Sequence, residues 1–278
     1  MKRGPTAQLA NALLVNGLLV AAAAFALLPL AWMVSVSFMR PGEADSFPPP
    51  LIPSAPTLAA YRSLFAQHGM GRYFANSLFL ASAATALSLT FNVAAGYAFA
   101  KLRFAGRDRV FQLLLVALVI PGQVAMIPLF LMLQKIGLVN NFGGVLVPAA
   151  AGVFGIFLVR QYALSIPDEL LEAARVDGAG EVRIFRSIVL PALLPIMATL
   201  ATFTFLATWN DFMWPLIVLS DERLYTLPVA LASLSREHVQ DAELMMAGAV
   251  VTVVPVLALF VVLQRYYIQG LLAGSVKG

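Results

Sequence analysis

Six apolar runs fill more than half of this chain, each close to or above the roughly 20 residues a helix needs to cross a bilayer. They are Ala12 to Phe38, Phe74 to Ala100, Val110 to Leu133, Gly143 to Tyr162, Ile188 to Leu219 and Leu244 to Tyr267. A helix satisfies its own backbone hydrogen bonds, which is what hydrocarbon demands of a spanning segment. Only 12% of the 278 residues are charged and 60% are hydrophobic. A soluble domain is nearer a quarter charged. The fold class expected is therefore an all-α membrane protein with six transmembrane helices. Residues 1–278 are expected to form a single transmembrane domain. Pro121-Gly122 and Pro128 interrupt the third run, and Pro29 lies inside the first.

The basic residues give the runs a direction. With the N-terminus inside, the inner segments hold 12 of the 18 Lys and Arg residues, and the outer segments 6. Short loops rich in Lys and Arg stay in the cytoplasm. Both termini are thus expected to be cytoplasmic. The cluster Lys101, Arg103, Arg107 and Arg109 weighs most. Lys2-Arg3 ahead of an apolar run also fits a cleaved signal peptide, but the run through Trp32 to Phe38 is long for one. The outer loops are expected at about 39–73 and 220–243. The first carries Pro48, Pro49, Pro50, Pro53 and Pro56, then Thr57 to Phe65, which has the spacing of a short amphipathic helix.

Several functions are excluded. There is no cysteine, and His68 and His238 are far apart, so no metal site is expected. The pattern GxxxxGK[ST] is absent, so the chain is expected to bind no nucleotide itself. The net charge of +4 is modest, and no nucleic-acid partner is expected. Intramembrane enzymes need a nucleophile, paired carboxylates or metal ligands at membrane depth, and none is evident. Ion-coupled secondary transporters usually carry charged residues near the midplane. Here the middles of the central runs hold none, and Arg160 and Asp211 fall toward run ends.

The segment at about 164–187 is different: polar, short and alanine-rich. Ser165 with Asp168 has the spacing of a capping box, and Pro167 suits a first turn. Asp168 and Glu169 complement the positive helix start. Leu170, Ala173 and Ala174 fall on one side. Gly178 and Gly180 can end the helix. A helix of about ten residues is expected, too short to span. It leads through Glu181 to Ser187 into the fifth run.

The stretch "IPDELLEAARVDGAGEVRIFRSIVLP", Ile166 to Pro191, resembles the EAA loop of binding-protein-dependent ABC importer permeases of the maltose type, which carry carbohydrates. Tyr97-Ala-Phe-Ala-Lys-Leu-Arg-Phe-Ala-Gly106, Trp209-Asn-Asp-Phe-Met-Trp-Pro215, Tyr225-Thr-Leu-Pro228 and the C-terminal Gln264 to Gly278 are similar to that subfamily in order and spacing. The chain most resembles the shorter, six-span partner of the permease pair. The resemblance implies a type I ABC importer permease fold in a bacterial inner membrane. It implies a second permease, two ATPase subunits that bind ATP and Mg, and an extracytoplasmic solute-binding protein. It implies a cytoplasmic coupling helix docked in an ATPase cleft through Glu172, Ala173, Ala174, Asp177 and Gly178. A permease for an amino acid or peptide is the alternative.

Other polar residues admit two readings. Gln123, beside the break at Pro121-Gly122, fits either a pathway lining or an interhelical bond. Asn210 and Asp211 fit substrate contact, helix capping or partner contact. Counting 20 residues from Pro191 at about 1.5 Å each puts Asp211 near the outer interface. Asn92, Thr202, Thr204 and Thr208 read as interhelical bonds. The resemblance suggests that part of the 220–243 loop reaches the binding protein.

Overall fold

The computed structural model describes residues 5–237 and 241–275. Lys2, Arg3, His238, Lys277 and part of the expected 220–243 loop lie outside the described residues.

The described residues form helices and no strands. The elements are α1 (Pro5–Val36), α2 (Ala59–Ala66), α3 (Met70–Lys101), α4 (Arg107–Ala117), α5 (Gly122–Lys135), α6 (Phe142–Ala149) and α7 (Val153–Ala163). They continue with α8 (Asp168–Val176), α9 (Glu181–Ile184), α10 (Leu190–Ala192), α11 (Leu194–Trp209), α12 (Met213–Val218), α13 (Leu227–Glu237) and α14 (Ala242–Ser275). A π-helical turn, Phe185–Val189, joins α9 to α10. Among the described residues, Leu13–Val36, Met70–Lys101, Phe142–Ala163 and Ala242–Val262 are long and apolar enough to cross a membrane. Two bent helix pairs bring the number to six if each counts as one span.

The chain departs from six straight spans at two sharp bends and two further breaks. The third run folds back, with α4 and α5 meeting at 105°. Pro121 causes this, because its ring clashes with a preceding carbonyl and it donates no N–H. It stands at the head of α5 with φ −58° and ψ 131°. Pro128, expected as a second break, stays inside α5. The fifth run is not one rod either. Glu181–Ala192 and Leu194–Trp209 meet at 75°, between Pro191 and Pro195. The helix then stops at Trp209, and Met213–Val218 is separate. The fourth run is interrupted at Ala150–Gly152 without such a bend.

The chain divides into two compact units. The first comprises Met1–Met70 and Leu231–Val254. Its core includes Val36, Met39, Leu64, Met70, Leu234 and Leu244. Glu43 accepts from the backbone N–H groups of Arg40 and Ser54, which closes the proline-rich loop and holds its carboxyl below the usual range. The buried Glu243 accepts from Ala44 N–H at 2.9 Å. The short amphipathic helix expected after the prolines is α2, which buries Ala60 and Leu64.

The second unit comprises Gly71–Ala230 and Pro255–Gly278. Its largest buried cluster joins α3, α7 and α11 to the loop between α7 and α11 through Tyr97, Val159, Leu171, Ile184, Leu193 and Leu200. Gly96 lets α3 approach α7 closely: a Cβ there would lie 2.6 Å from Val159 Cγ1.

Candidate coupling loop and transmembrane cavity

The polar loop begins where α7 ends. Ser165 Oγ donates to the carbonyl of Tyr162 at 2.7 Å, not to the next helix. The expected capping box does not form, because Pro167 occupies the cap position in extended conformation and leaves Ser165 too far back. The helix start is held from outside instead. Lys101 Nζ, on the last residue of α3, donates to Asp168 Oδ1 and to the Ile166 carbonyl, each at 2.6 Å. Its side chain is 5% exposed. Lys101 draws the Asp168 carboxyl below its usual range.

The helix ends as its glycine predicts. Gly178 adopts φ +81°, in the left-handed region. Ala179 N–H donates to the Ala174 carbonyl at 2.9 Å, and Gly178 N–H to the Arg175 carbonyl at 3.0 Å. This pair of bonds is the Schellman closure. The chain then turns so that Arg175 forms a forked pair with Glu181, Nε to Oε1 at 2.7 Å and Nη2 to Oε2 at 3.3 Å. Glu181 is held below the usual carboxylate range by Arg175, and Arg175 is raised by the same bond. Tyr97 OH lies 3.5 Å from Glu181 Oε2.

The two faces of α8 part company. Leu171 is buried, and Ala174 is half-buried against the same cluster. Burying a leucine contributes about 2 kcal/mol. Leu170, Ala173 and Val176, spaced by three, face outward, and Val176 is 86% exposed. Glu172, Asp177 and Gly178 are also exposed. Leu170, Ala173 and Ala174 thus do not share one face. Sequence reading missed Leu171 as the anchor and Val176 as part of the open face. A strict three-residue count from Leu170 would have found Val176. Val182 on α9 is exposed as well.

Elsewhere in the same unit, α3, α6, α7, α11 and α12 line an open cavity of about 400 Å³. Its polar lining is Ser88, Asn92, Thr204, Thr208 and Asp211. Asn92 Nδ2 donates to Ser88 Oγ at 2.7 Å and Oδ1 accepts from Gly152 N–H at 3.1 Å. Ser88 and Thr204 hydroxyls are 3.2 Å apart. Trp214 also lines it, its indole donating to the Gly144 carbonyl at 3.1 Å.

The pathway residues expected from the sequence do not all gather here. Asp211 lines the cavity, and its carboxylate also accepts from Trp214 N–H at 3.3 Å at the head of α12. The helix leading to it bends at Leu193 and ends at Trp209, so it is not the straight rod along which the position near an outer interface was counted. Asn210 is exposed, and its amide donates to the Leu206 carbonyl at the end of α11. Gln123 is exposed in the first turn of α5. Neither lines the cavity. Asn92, Thr204 and Thr208 do. Their signal was spacing, since Ser88 and Asn92 are four apart, as are Thr204 and Thr208. Among the described residues no cluster of His, Cys, Asp or Glu could hold a metal.

Residues 92–272 match a family described as binding-protein-dependent transport system inner membrane component. The chain is 39% identical over 260 residues to the arabinooligosaccharides transport system permease protein AraQ of Halalkalibacterium halodurans, covering 91% of this chain and 92% of that protein. It is 36% identical over 215 residues to the lactose transport system permease protein LacG of Rhizobium radiobacter, covering 77% and 78%. Its backbone matches a chain in the crystal structure of a bacterial ABC transporter involved in the import of the acidic polysaccharide alginate. That match has a TM-score of 0.83 at 25% identity, over 96% of this chain and 99% of that one. This chain therefore belongs to the family of inner membrane components of binding-protein-dependent transport systems, as a multi-pass ABC importer permease.

Proposed function

We propose that this permease carries a carbohydrate, and that α8 couples it to ATP hydrolysis on a partner ATPase. The observation that carries the substrate class is the set of relatives. They include permeases named for arabinooligosaccharides, lactose and melibiose, raffinose and stachyose. The cavity agrees with them: hydroxyl and amide groups beside Trp214 suit the hydroxyls and apolar faces of a sugar ring. Asp211 and Asn92 are its strongest candidates for sugar contact. Gln123 and Asn210 could serve only on surfaces that a second permease would cover.

Residues 1–278 act as one permease domain with both termini in the cytoplasm. The chain binds no nucleotide itself. Two ATPase subunits bind ATP and Mg, a second permease completes the pathway, and an extracytoplasmic binding protein delivers the sugar. α8 docks in an ATPase cleft by its open face, Leu170, Ala173 and Val176, rimmed by Glu172 and Asp177. Ala174 braces that face from behind, and Gly178 aims the chain away from the cleft. ATP binding then moves α8 and shifts the helix bundle between inward- and outward-open states.

The test is reconstitution with a second permease, an ATPase and a solute-binding protein of the same importer. Oligosaccharides added with the binding protein should stimulate ATP hydrolysis. Stimulation by amino acids or peptides, with none by any sugar, would overturn the substrate class.

A further inference from the structure

We infer that Lys101 is a positioning residue for coupling, a strut that carries movement of α8 directly into α3. The inference rests on the reading of α8 as the ATPase-docking helix. The covalent route from α8 runs through α9 and the π-helical turn into α11, and that route is bent by 75° at Leu193. A bent, proline-flanked joint passes force poorly. The tie at Lys101 has no such joint. Its ammonium sits at the last residue of a 32-residue helix and bonds two groups at the head of α8.

Three features make this tie more than a surface ion pair. The Lys101 side chain is almost wholly buried while Asp168 is 73% exposed, so the bond fixes α8 to a group that cannot swing away. The second acceptor is a backbone carbonyl, which holds the chain entering α8 as well as a side chain. One helical turn earlier on α3, Tyr97 reaches Glu181, which Arg175 grips from α8. α3 thus holds both ends of the loop. The same helix carries Ser88 and Asn92 in the cavity wall. A push on α8 reaches the cavity along a single rod.

The experiment uses the assembled importer with cysteine introduced at Ala173, which becomes the chain's single thiol because the sequence has none. Cross-linking of Ala173→Cys to the ATPase reports docking, and sugar imported per ATP hydrolysed reports coupling. In Lys101→Met the cross-link should persist while the ratio falls about tenfold, the scale expected when buried partners lose a charged bond. Lys101→Arg should recover most of the ratio, which a general packing defect would not allow. If Lys101→Met does not assemble, Asp168→Ala removes only the exposed partner and should lower the ratio about twofold to threefold. An unchanged ratio in whichever variant assembles, with the cross-link intact, overturns the strut and leaves docking standing. Absence of the cross-link in the parent overturns the docking reading and the strut with it.

Discussion

The coupling loop and the cavity rest on the same three helices, α3, α7 and α11, yet their polar chemistry is opposite. At the loop the polar groups are mostly charged, and two ion pairs hold it: Lys101 with Asp168, Arg175 with Glu181. In the cavity they are neutral apart from Asp211: Ser88, Asn92, Thr204 and Thr208. Charge-assisted bonds are short and directional and hold one geometry. Neutral hydroxyls and amides can exchange one partner for another at little cost. On the function proposed above, the loop would keep its shape under load and the cavity would let a polar solute pass from group to group.

The contrast can be broken first at the loop. Gly178→Asp should leave the protein in the membrane and cut uptake to below about a tenth, because any L side chain at φ +81° is strained by roughly 1–2 kcal/mol and an acid at a helix C-terminus opposes the dipole. Glu172→Lys should act similarly, since it places a cation beside Arg175 on the docking rim. Normal uptake in both, at normal membrane abundance, would remove the loop from the coupling path. The shared frame is the next target. Gly96→Val forces a side chain into Val159, and overpacking of this kind costs about 1–3 kcal/mol. The thermal midpoint of the purified protein should fall, and both loop and cavity should suffer together.

The cavity alone should be gentler. Asn92→Ala removes two hydrogen bonds in the cavity wall, so the KM for uptake should rise about fivefold to thirtyfold, on the scale of about 1 kcal/mol per bond, with membrane abundance little changed. An unchanged KM would return Asn92 to a purely structural role. The smallest effect concerns acid. The Asp168 and Glu181 carboxyls are depressed in the folded protein, so their contribution is present above the unfolded values near pH 4 and is lost as pH falls through the folded values. Exchange-corrected amide protection of α8 should be flat at neutral pH and decline only in acid. Asp168→Asn should flatten part of that decline.

Much of this was legible in the sequence because it depends on local chemistry. Hydrophobic length marks the spans, and Pro121 marks the sharpest bend. Gly178 marks the helix end, since the left-handed turn there favours glycine. What failed depended on distant partners or on accumulated angles. Ser165 fits a capping box by spacing, but Pro167 takes the cap and Lys101, 67 residues from Asp168 in sequence, does the holding. The straight count from Pro191 to Asp211 does not hold, because residues convert to distance only along a straight helix and this one bends at Leu193. Leu171 and Ala174 were not separable from Leu170 and Ala173 until the cluster that buries them was in place. In the cavity, Asn92 and Thr204 were visible as polar residues at helical spacing. That both meet Ser88, one along α3 and the other across from α11, was not.

The most direct test of the account is the location of α8. Val176→Cys would be the chain's single thiol, on the most exposed residue of the docking face. A membrane-impermeant maleimide should label it in inside-out vesicles and not in right-side-out ones, and assembly with the ATPase should block the labelling. Labelling from the outer side, or labelling indifferent to the ATPase, would contradict the account.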